Sequence, residues 1–473
     1  MQLDLAICHA AVEARDSRFD GLFFTGVVTT GIYCRCVCPA RIPKAAHRQF
    51  FQSAAAAEKA GYRPCLVCRP ELAPGAAPID AQERLANNAV KRIEAGALDA
   101  QGLAQLAAEL GVTDRHLRRA MIRTFGASPV DIAQTHRLLT AKRLLKDTSL
   151  TIAQVAYASG FRSLRRFNAL FLERYRMTPS RVRGSGRLSG GGLTFALVPR
   201  GIFDGKAFLQ HAQARRVPSI ESGPYRRTWA IGKCQGVLSL SFTGEVPMLS
   251  VSDGLLPAFR QVIAAVRGAL DLDTDLETIN AFLGQDPNLA RDVATDPAVR
   301  LPGALDPIET TVRAIIGQQV TVKAATTITA RLVESLGTAI ETDVEGLNRL
   351  FPDATRIADA GVERIAQLGM PRKRAETLIR FATAVAEGKL ELTRGALAAG
   401  RDGLKAIAGV GPWTVEYVAL RAMGDPDAFP LGDAALRSAF SGDLRSASEN
   451  WRPWRGYATA RLWRRHENER RIV

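Results

Sequence analysis

The sequence predicts a multidomain α+β protein. Its expected parts are a small α/β domain (residues 1–78), an all-α domain (79–186), an α+β domain on an antiparallel sheet (192–288) and an all-α domain (289–473). Three features point to this class. A chain of 473 residues is too long for one core, and 47% hydrophobic with 23% charged residues is a globular composition. Five of the seven cysteines crowd between Cys34 and Cys68. Strand-like alternation is concentrated in one stretch after residue 192, with helical periodicity on both sides of it.

Two seams divide the chain. "PELAPGAAPIDAQ" (70–82) is rich in Pro, Gly and Ala, and "RGSGRLSGGGL" (183–193) has linker composition. No run of about 18 apolar residues occurs, so no transmembrane helix is expected. "MQLDLAICHAAVEARD" lacks a basic segment followed by an apolar core, so no secretory signal is expected either. The expectation is a cytoplasmic, membrane-free monomer. Formal net charge is +16, and residues 81–187 alone carry 19 Lys+Arg against 8 Asp+Glu. A solvated basic face is the plain reading of a charge run. Its concentration in one helical module favours a polyanionic partner, of which nucleic acid is the commonest.

In the first domain, "GIYCRCVCPA" (31–40) places Cys34, Cys36 and Cys38 at alternate positions, and "GYRPCLVCRPE" adds Cys65 and Cys68. Thiols so placed bind a metal, form disulfides, or reflect composition alone. In a reducing compartment clustered cysteines favour a metal, and CxxxC followed after about 27 residues by CxxC can supply four thiolates to one zinc ion. A purely structural zinc knuckle is the base-rate reading. Cys8 and Cys234 stand apart and read as buried or incidental.

The pattern "TTGIYCRCVCPARIPK…F…A…AGYRPCLVCRPE" resembles the N-terminal domain of the Ada family, over residues 4–72. The resemblance implies repair of methylated phosphate backbones. It makes Cys34 both methyl acceptor and zinc ligand, with Cys38, Cys65 and Cys68 as the other ligands. Cys36 departs from the family pattern. In an extended segment it points away from its neighbours, so it is expected to be a spectator. Arg35 beside the acceptor could guide a phosphate, but a solvated arginine is the plainer expectation.

"LAQLAAELGVTDRHLRRAMIRTFGASP" reads as a helix-turn-helix. A helix ends at Gly111, Thr113 can cap the next, and Arg115, His116, Arg118 and Arg119 project from it. In "TIAQVAYASGFRSLRRFNALFLERYRMTPSRVR", Gly160 makes the turn of a second unit, with Arg162, Arg165 and Arg166 after it. The "A…SGF.S…F…F…..TPS.VR" pattern is similar to the two-unit DNA-binding domain of the AraC family, over residues 83–183. It implies promoter DNA and RNA polymerase as partners. No "PCHR" occurs, so the second methyltransferase domain of full-length Ada proteins is not expected.

After the second seam, "LTFALVP", "RRTWAIGK", "GVLSLSFT" and "PMLSVSD" read as antiparallel strands, with helical patterns in "FLQHAQARR" and "LPAFRQVIAAVRGAL". From about residue 288 the pattern is helical to the end. "LKAIAGVGPWTVEYVALRA" (404–422) gives helix, hairpin and helix; Gly409 and Gly411 allow a tight turn whose N–H groups can face a phosphate. Asp433 follows about 20 residues later in "FPLGDAALR".

This arrangement resembles the helix-hairpin-helix DNA glycosylases. "LPGALDPIETTVRAIIGQQVTVKAA", "LGMPRKRAETLIRFA" and "WRPWRGYATARLW" narrow the similarity to their AlkA-type members, over the whole second half. The resemblance implies Asp433 as the catalytic carboxylate, Trp413, Tyr417, Trp463 and Gln318 at the base pocket, and Gly409 and Gly411 on DNA. Gln319 stands where those enzymes carry an apolar wedge. As single residues the aromatics read almost as well as core side chains. The family's lyase members carry a lysine where this chain has Trp413, so a monofunctional enzyme is expected.

The combined expectation is an alkylation sensor and transcription regulator joined to a glycosylase. It would take one methyl group onto Cys34 without turnover, hydrolyse the N-glycosidic bond of alkylated bases, and hold one zinc. Two narrower readings stand beside it. One is a regulator with an inactive glycosylase half, the other a repair enzyme whose helix-turn-helix only tethers it to double-stranded DNA.

Overall fold

The computed structural model describes residues 5–472 apart from 16–18, 22, 73–80, 149, 184–192, 243–245 and 394–395. Residues 73–80 of the first seam and 184–192 of the second therefore lie outside it. The chain packs as two compact units, residues 1–135 and 136–473.

The first unit opens with α1 (Leu5–Ala14) and a sheet of β1 (Phe24–Val27), β2 (Ile32–Cys34) and β3 (Arg48–Phe51). Helix α2 (Ala54–Lys59), capped by Ser53, leads to β4 (Arg63–Pro64). The order is β3-β1-β2-β4, antiparallel except for the parallel pair β2/β4. Beyond the seam come α3 (Ala81–Glu94), α4 (Ala97–Ala100), α5 (Leu103–Glu109), α6 (Asp114–Phe125) and the start of α7 (Pro129–Asp147). Ile93, Leu106, Leu117 and Met121 are fully buried among them. Gly111 takes φ +70° between α5 and α6, and Thr113 Oγ1 accepts from His116 N at 3.2 Å. This is the turn and cap expected of a helix-turn-helix.

The division between units falls inside α7. Helices α8 (Ile152–Ala158), α9 (Leu164–Tyr175) and α10 (Pro179–Arg183) belong to the second unit. A capping box of Thr151 and Gln154 starts α8, and Gly160 at φ +88° turns into α9. Their apolar face does not close on itself. Leu144, Val155, Phe167 and Phe171 share one core with Phe195, Trp229, Leu238 and Phe259 of the following sheet domain. Arg143 stacks 4.1 Å from the Phe195 ring centroid and donates to the Ala196 carbonyl at 2.8 Å.

That domain contains β5 (Leu193–Ala196), α11 (Gly205–Gln213), β6 (Glu221–Ser222), β7 (Arg226–Ile231), β8 (Cys234–Ser241), β9 (Met248–Val251) and α12 (Phe259–Ala269). The sheet is antiparallel in the order β5-β9-β8-β7-β6. On β8, Leu238 and Leu240 point inward while Ser239 and Ser241 do not, which is the alternation visible in the sequence. The two-residue β6 was too short to leave such a pattern.

The helical remainder comprises α13 (Leu276–Leu283), α14 (Ala290–Thr295), α15 (Pro307–Ile316) and α16 (Val322–Leu336), then a short ribbon of β10 (Thr338–Ala339) and β11 (Arg349–Leu350). It continues through α17 (Ala354–Asp359), α18 (Gly361–Ala366), α19 (Arg372–Ala386), α20 (Leu397–Lys405), α21 (Pro412–Arg421), α22 (Ala434–Ala439), α23 (Leu444–Glu449) and α24 (Arg455–Ile472). One core runs from Leu276 to Leu462, with Phe381 and Trp451 fully buried at its centre. The ribbon interrupts a stretch the sequence reads as wholly helical. Among the described residues no helix is long and apolar enough to cross a membrane.

Candidate metal centre, DNA-reading helices and base pocket

The metal centre is built at the ends of two parallel strands. Registers Ile32↔Arg63 and Tyr33↔Pro64 bring Cys34 and Cys65 out of the sheet side by side, and Cys65 N donates to the Tyr33 carbonyl at 3.0 Å. Tight turns then return Cys38 and Cys68 to them, closed by Cys38 N to the Arg35 carbonyl at 3.2 Å and Arg69 N to the Cys65 carbonyl at 2.8 Å. The four sulfurs lie within 4.8 Å of one another. A tetrahedral zinc with Zn–S of about 2.3 Å needs sulfurs roughly 3.8 Å apart, so a small contraction seats the ion. The donor set fits zinc: four soft sulfurs, three of them buried. Without a cation they cannot all ionise. Cys34 keeps its proton and donates to the Cys38 sulfur, a contact that pushes the Cys34 thiol up and holds Cys38 down.

Cys34 is the least buried of the four and lines a small cleft with Thr25, Val27 and Arg41. Cys36 is not among these sulfurs; it packs with Cys8, Val12 and Phe23, and burial pushes its thiol up to about 11. Arg35 corrects the sequence expectation of a solvated side chain. It is 3% exposed and forms a two-pronged ion pair with Asp20, one arm at 2.9 Å. A buried guanidinium needs such a partner, and Asp20 lies too far along the chain for spacing to reveal it.

On α6, Leu117, Ala120 and Met121 face the core while Arg115, His116, Arg118, Arg119 and Arg123 are exposed. On and just before α9, Phe167 and Phe171 are buried while Arg162, Arg165 and Arg166 are exposed. Each unit thus turns a basic helix face outward, suited to phosphates and to base edges.

The candidate base pocket gathers at α21, α22 and α24. Asp433 is the N-cap of α22; its Oδ1 accepts from Ala435 N at 2.9 Å, Leu436 N at 3.1 Å and Trp463 Nε1 at 3.2 Å. Its Oδ2 accepts from Trp413 Nε1 at 3.0 Å. Two indoles thus aim the carboxylate. Tyr417 stacks on Trp413 with centroids 5.0 Å apart and lies 5.9 Å from Trp463. All three rings are only partly buried, and Tyr417 and Trp463 pack against the core.

At the hairpin, Gly409 takes φ +95°, and an added Cβ would lie 1.9 Å from Thr377 Oγ1. Gly411 has φ −87°, and nothing lies near its missing Cβ, so of the two only Gly409 demands glycine. Gly411 is the N-cap of α21, with no side chain over the first N–H groups. Gln318 Nε2 donates to Thr414 Oγ1 at 3.0 Å and the Gly409 carbonyl at 3.3 Å, tying α15 to the hairpin. Gln319 is exposed at φ +55°, a strained conformation for a residue with a Cβ.

The sequence reading passed over the charged groups behind Tyr417. Arg421 Nη1 donates to Tyr417 Oη at 3.1 Å, and Glu467, one turn after Trp463, approaches His211 Nδ1 at 3.9 Å and Arg215 at 3.7 Å. A lone His near the end of an amphipathic helix carries no motif that could have marked it.

Comparison with known proteins matches four family models in order. They are the metal binding domain of Ada over residues 7–71, a helix-turn-helix domain over 106–185, the AlkA N-terminal domain over 194–306 and the HhH-GPD superfamily of base excision DNA repair proteins over 312–452. The "probable bifunctional transcriptional activator/DNA repair enzyme AlkA" of Mycobacterium tuberculosis is 36% identical over 98% of this chain and 97% of its own length. DNA-3-methyladenine glycosylase 2 of Escherichia coli is 34% identical over 55% of this chain and 93% of its own. Ada of the same organism is 46% identical over 63 residues, 13% of this chain and 18% of its own. An Ada-type zinc domain, a helix-turn-helix and an AlkA-type glycosylase half, in one chain aligned end to end with such a relative, place this protein in the family of bifunctional transcriptional activator/DNA repair enzymes of the AlkA type.

Proposed function

We propose that the protein removes alkylation damage by two chemistries and reports one of them to a promoter. The observation that carries the glycosylase reading is the Asp433 carboxylate, held by the indoles of Trp413 and Trp463 at the end of an aromatic stack. Breaking an N-glycosidic bond builds positive charge on the sugar, and a fixed carboxylate stabilises it and orients the attacking water. An N-alkylated purine already leaves readily, so the protein needs chiefly to stack a flipped base between Trp413, Tyr417 and Trp463. Gln318 holds the hairpin against α15, Gly409 and Gly411 bring backbone N–H groups to the phosphates, and Gln319 occupies the gap left by the base. With Trp413 at the hairpin position no amine nucleophile is supplied, so the abasic site is left uncut.

In the first domain Cys34 accepts the methyl group of a phosphotriester. Its sulfur attacks the methyl carbon, an S–C bond forms, and the C–O electron pair leaves with the phosphodiester. Cys38, Cys65 and Cys68 complete the ligand set. Zinc, when bound, keeps the thiolates ionised near neutral pH. Arg115, Arg118 and Arg119 on α6, with Arg162, Arg165 and Arg166 at α9, bind promoter DNA for the encounter with RNA polymerase, in the cytoplasm and as a monomer.

One experiment tests both halves. The protein is incubated with methylated duplex DNA, and released bases and S-methylcysteine at position 34 are quantified together. Release without cysteine methylation removes the sensor reading, and the converse leaves a regulator with an inert second half. A footprint on one promoter separates the regulator from a repair enzyme that uses the helix-turn-helix only as a tether.

A further inference from the structure

Asp433 ends the segment 425–433, and that segment is held by charges that the base pocket does not use. One guanidinium starts the network. Arg401, on the helix before the hairpin, donates from Nε to Glu416 Oε1 at 3.0 Å and from Nη2 to Glu416 Oε2 at 3.1 Å. Its Nη2 also lies 2.6 Å from Asp425 Oδ2. Arg401 thus joins α20, α21 and the first residue of the segment. Glu416 Oε2 accepts in addition from Phe429 N at 3.2 Å. Two tight turns carry that anchor onward to Asp433. Leu431 N donates to the Phe429 carbonyl and Asp433 N to the Pro430 carbonyl, both at 2.9 Å.

The two helices that aim the Asp433 side chain therefore also fix the backbone that carries it. On α21, Trp413 donates to Asp433 Oδ2, and Glu416, one turn later, accepts from Phe429 N. On α24, Trp463 donates to Asp433 Oδ1, while Arg455 donates to Asp427 from Nε at 2.9 Å and from Nη2 at 3.0 Å. The Arg401, Glu416 and Asp425 side chains are 20%, 28% and 13% exposed, so water screens the pair only in part. A two-pronged guanidinium–carboxylate contact sets orientation as well as distance.

We propose that Glu416, oriented by Arg401, is a positioning residue for Asp433: it sets where the carboxylate stands relative to the aromatic stack without touching the base itself. The inference rests on the glycosylase reading above. A misplacement of 1 Å at a reacting group costs about 10²-fold in rate, so the segment's anchor matters to the chemistry as well as to the fold. Removing the Glu416 carboxylate leaves Phe429 N–H unpaired and releases the turns that lead to Asp433, while Asp427 and Arg455 still hold the segment to α24.

The full-length protein is assayed for single-turnover release of N7-methylguanine from duplex DNA, below the unfolding midpoint of each variant, with affinity for abasic-site DNA measured alongside. Glu416→Leu is expected to lower the maximal rate about tenfold or more, with affinity within about twofold of wild type. Glu416→Gln keeps an oxygen for Phe429 N–H and should recover most of that loss. In an Asp433→Asn background Glu416→Leu should cost nothing further, because a residue that acts through another loses its effect once the other is gone. Arg401→Met removes the orienting partner at a partly exposed position; it should show the same pattern and carries the test if Glu416→Leu does not fold. An unchanged rate marks the pair as a stabiliser of the fold alone and overturns the proposal. Parallel losses of rate and DNA affinity assign it to the hairpin's grip on DNA and also overturn it, as does a loss that persists in full beside Asp433→Asn. A wild type that releases no base refutes the glycosylase reading itself, and the positioning role with it.

Discussion

Asp433→Asn is the substitution whose outcome the geometry specifies most closely. The aspartate accepts four N–H groups, three on Oδ1 and one on Oδ2. An asparagine that puts its carbonyl at Oδ1 keeps the α22 cap and the Trp463 contact, since Asn caps helices about as well as Asp. Its NH2 then stands at Oδ2, 3.0 Å from the Trp413 indole nitrogen, donor facing donor. Losing that charge-assisted bond costs about 1.5–3 kcal/mol of stability. The catalytic loss is separate. A fixed charge aimed at the transition state contributes on the order of 3–4 kcal/mol, or about 10²- to 10³-fold in rate. The assay is single-turnover release of N7-methylguanine, well below both unfolding midpoints, with binding of abasic-site DNA measured alongside. Trp463→Phe, which removes one donor but keeps a ring, should fall in between. Release by Asp433→Asn within about tenfold of wild type, with DNA binding intact, would refute the assignment of the carboxylate.

Other consequences can be checked separately. Cys36→Ser should retain one zinc per chain, because Cys36 packs with Cys8 and Phe23 instead of joining the four-sulfur cluster, whereas Cys65→Ala should lose the metal and unfold the first domain; elemental analysis and circular dichroism read both. Gly409→Ala should destabilise the second unit by about 2 kcal/mol or more, since it combines a positive φ with a clash against a Thr377 hydroxyl already bonded to the Ala408 carbonyl, while Gly411→Ala should leave the unfolding midpoint unchanged. Methylating Cys34 replaces a thiolate by a neutral thioether. At about 8 Å from a phosphate and an effective dielectric near 20, one charge amounts to roughly 2 kcal/mol before salt screening, so promoter affinity should rise severalfold at low salt and less at high salt. Equal affinities at low salt would leave Cys34 a repair nucleophile alone.

What the sequence determined by itself is what local spacing encodes. CxxxC and CxxC mark a four-sulfur site because the turns that return Cys38 and Cys68 are only a few residues long. Thr113 and Gly160 mark helix starts and turns for the same local reason, and β8 shows its buried face by alternation. Asp433 and the ring residues were legible through family motifs, but the contacts among them were not. Only the tertiary structure sets two indole N–H groups on one carboxylate, because Trp413 and Trp463 come from helices about 50 residues apart.

Arg35 shows the limit most plainly. Beside Cys34 it reads as a solvated cation, yet Asp20, from a separate segment, draws it into the interior. Gly409 and Gly411 look equivalent as letters, and only the nearby Thr377 hydroxyl and the sign of φ distinguish them. The group of His211, Arg215, Arg313, Arg421 and Glu467 left no sequence signal, since no two of its helices share a motif. Unpartnered polar atoms, such as His211 Nε2, are a property of packing. They exist only once distant segments have excluded the water that would otherwise satisfy them.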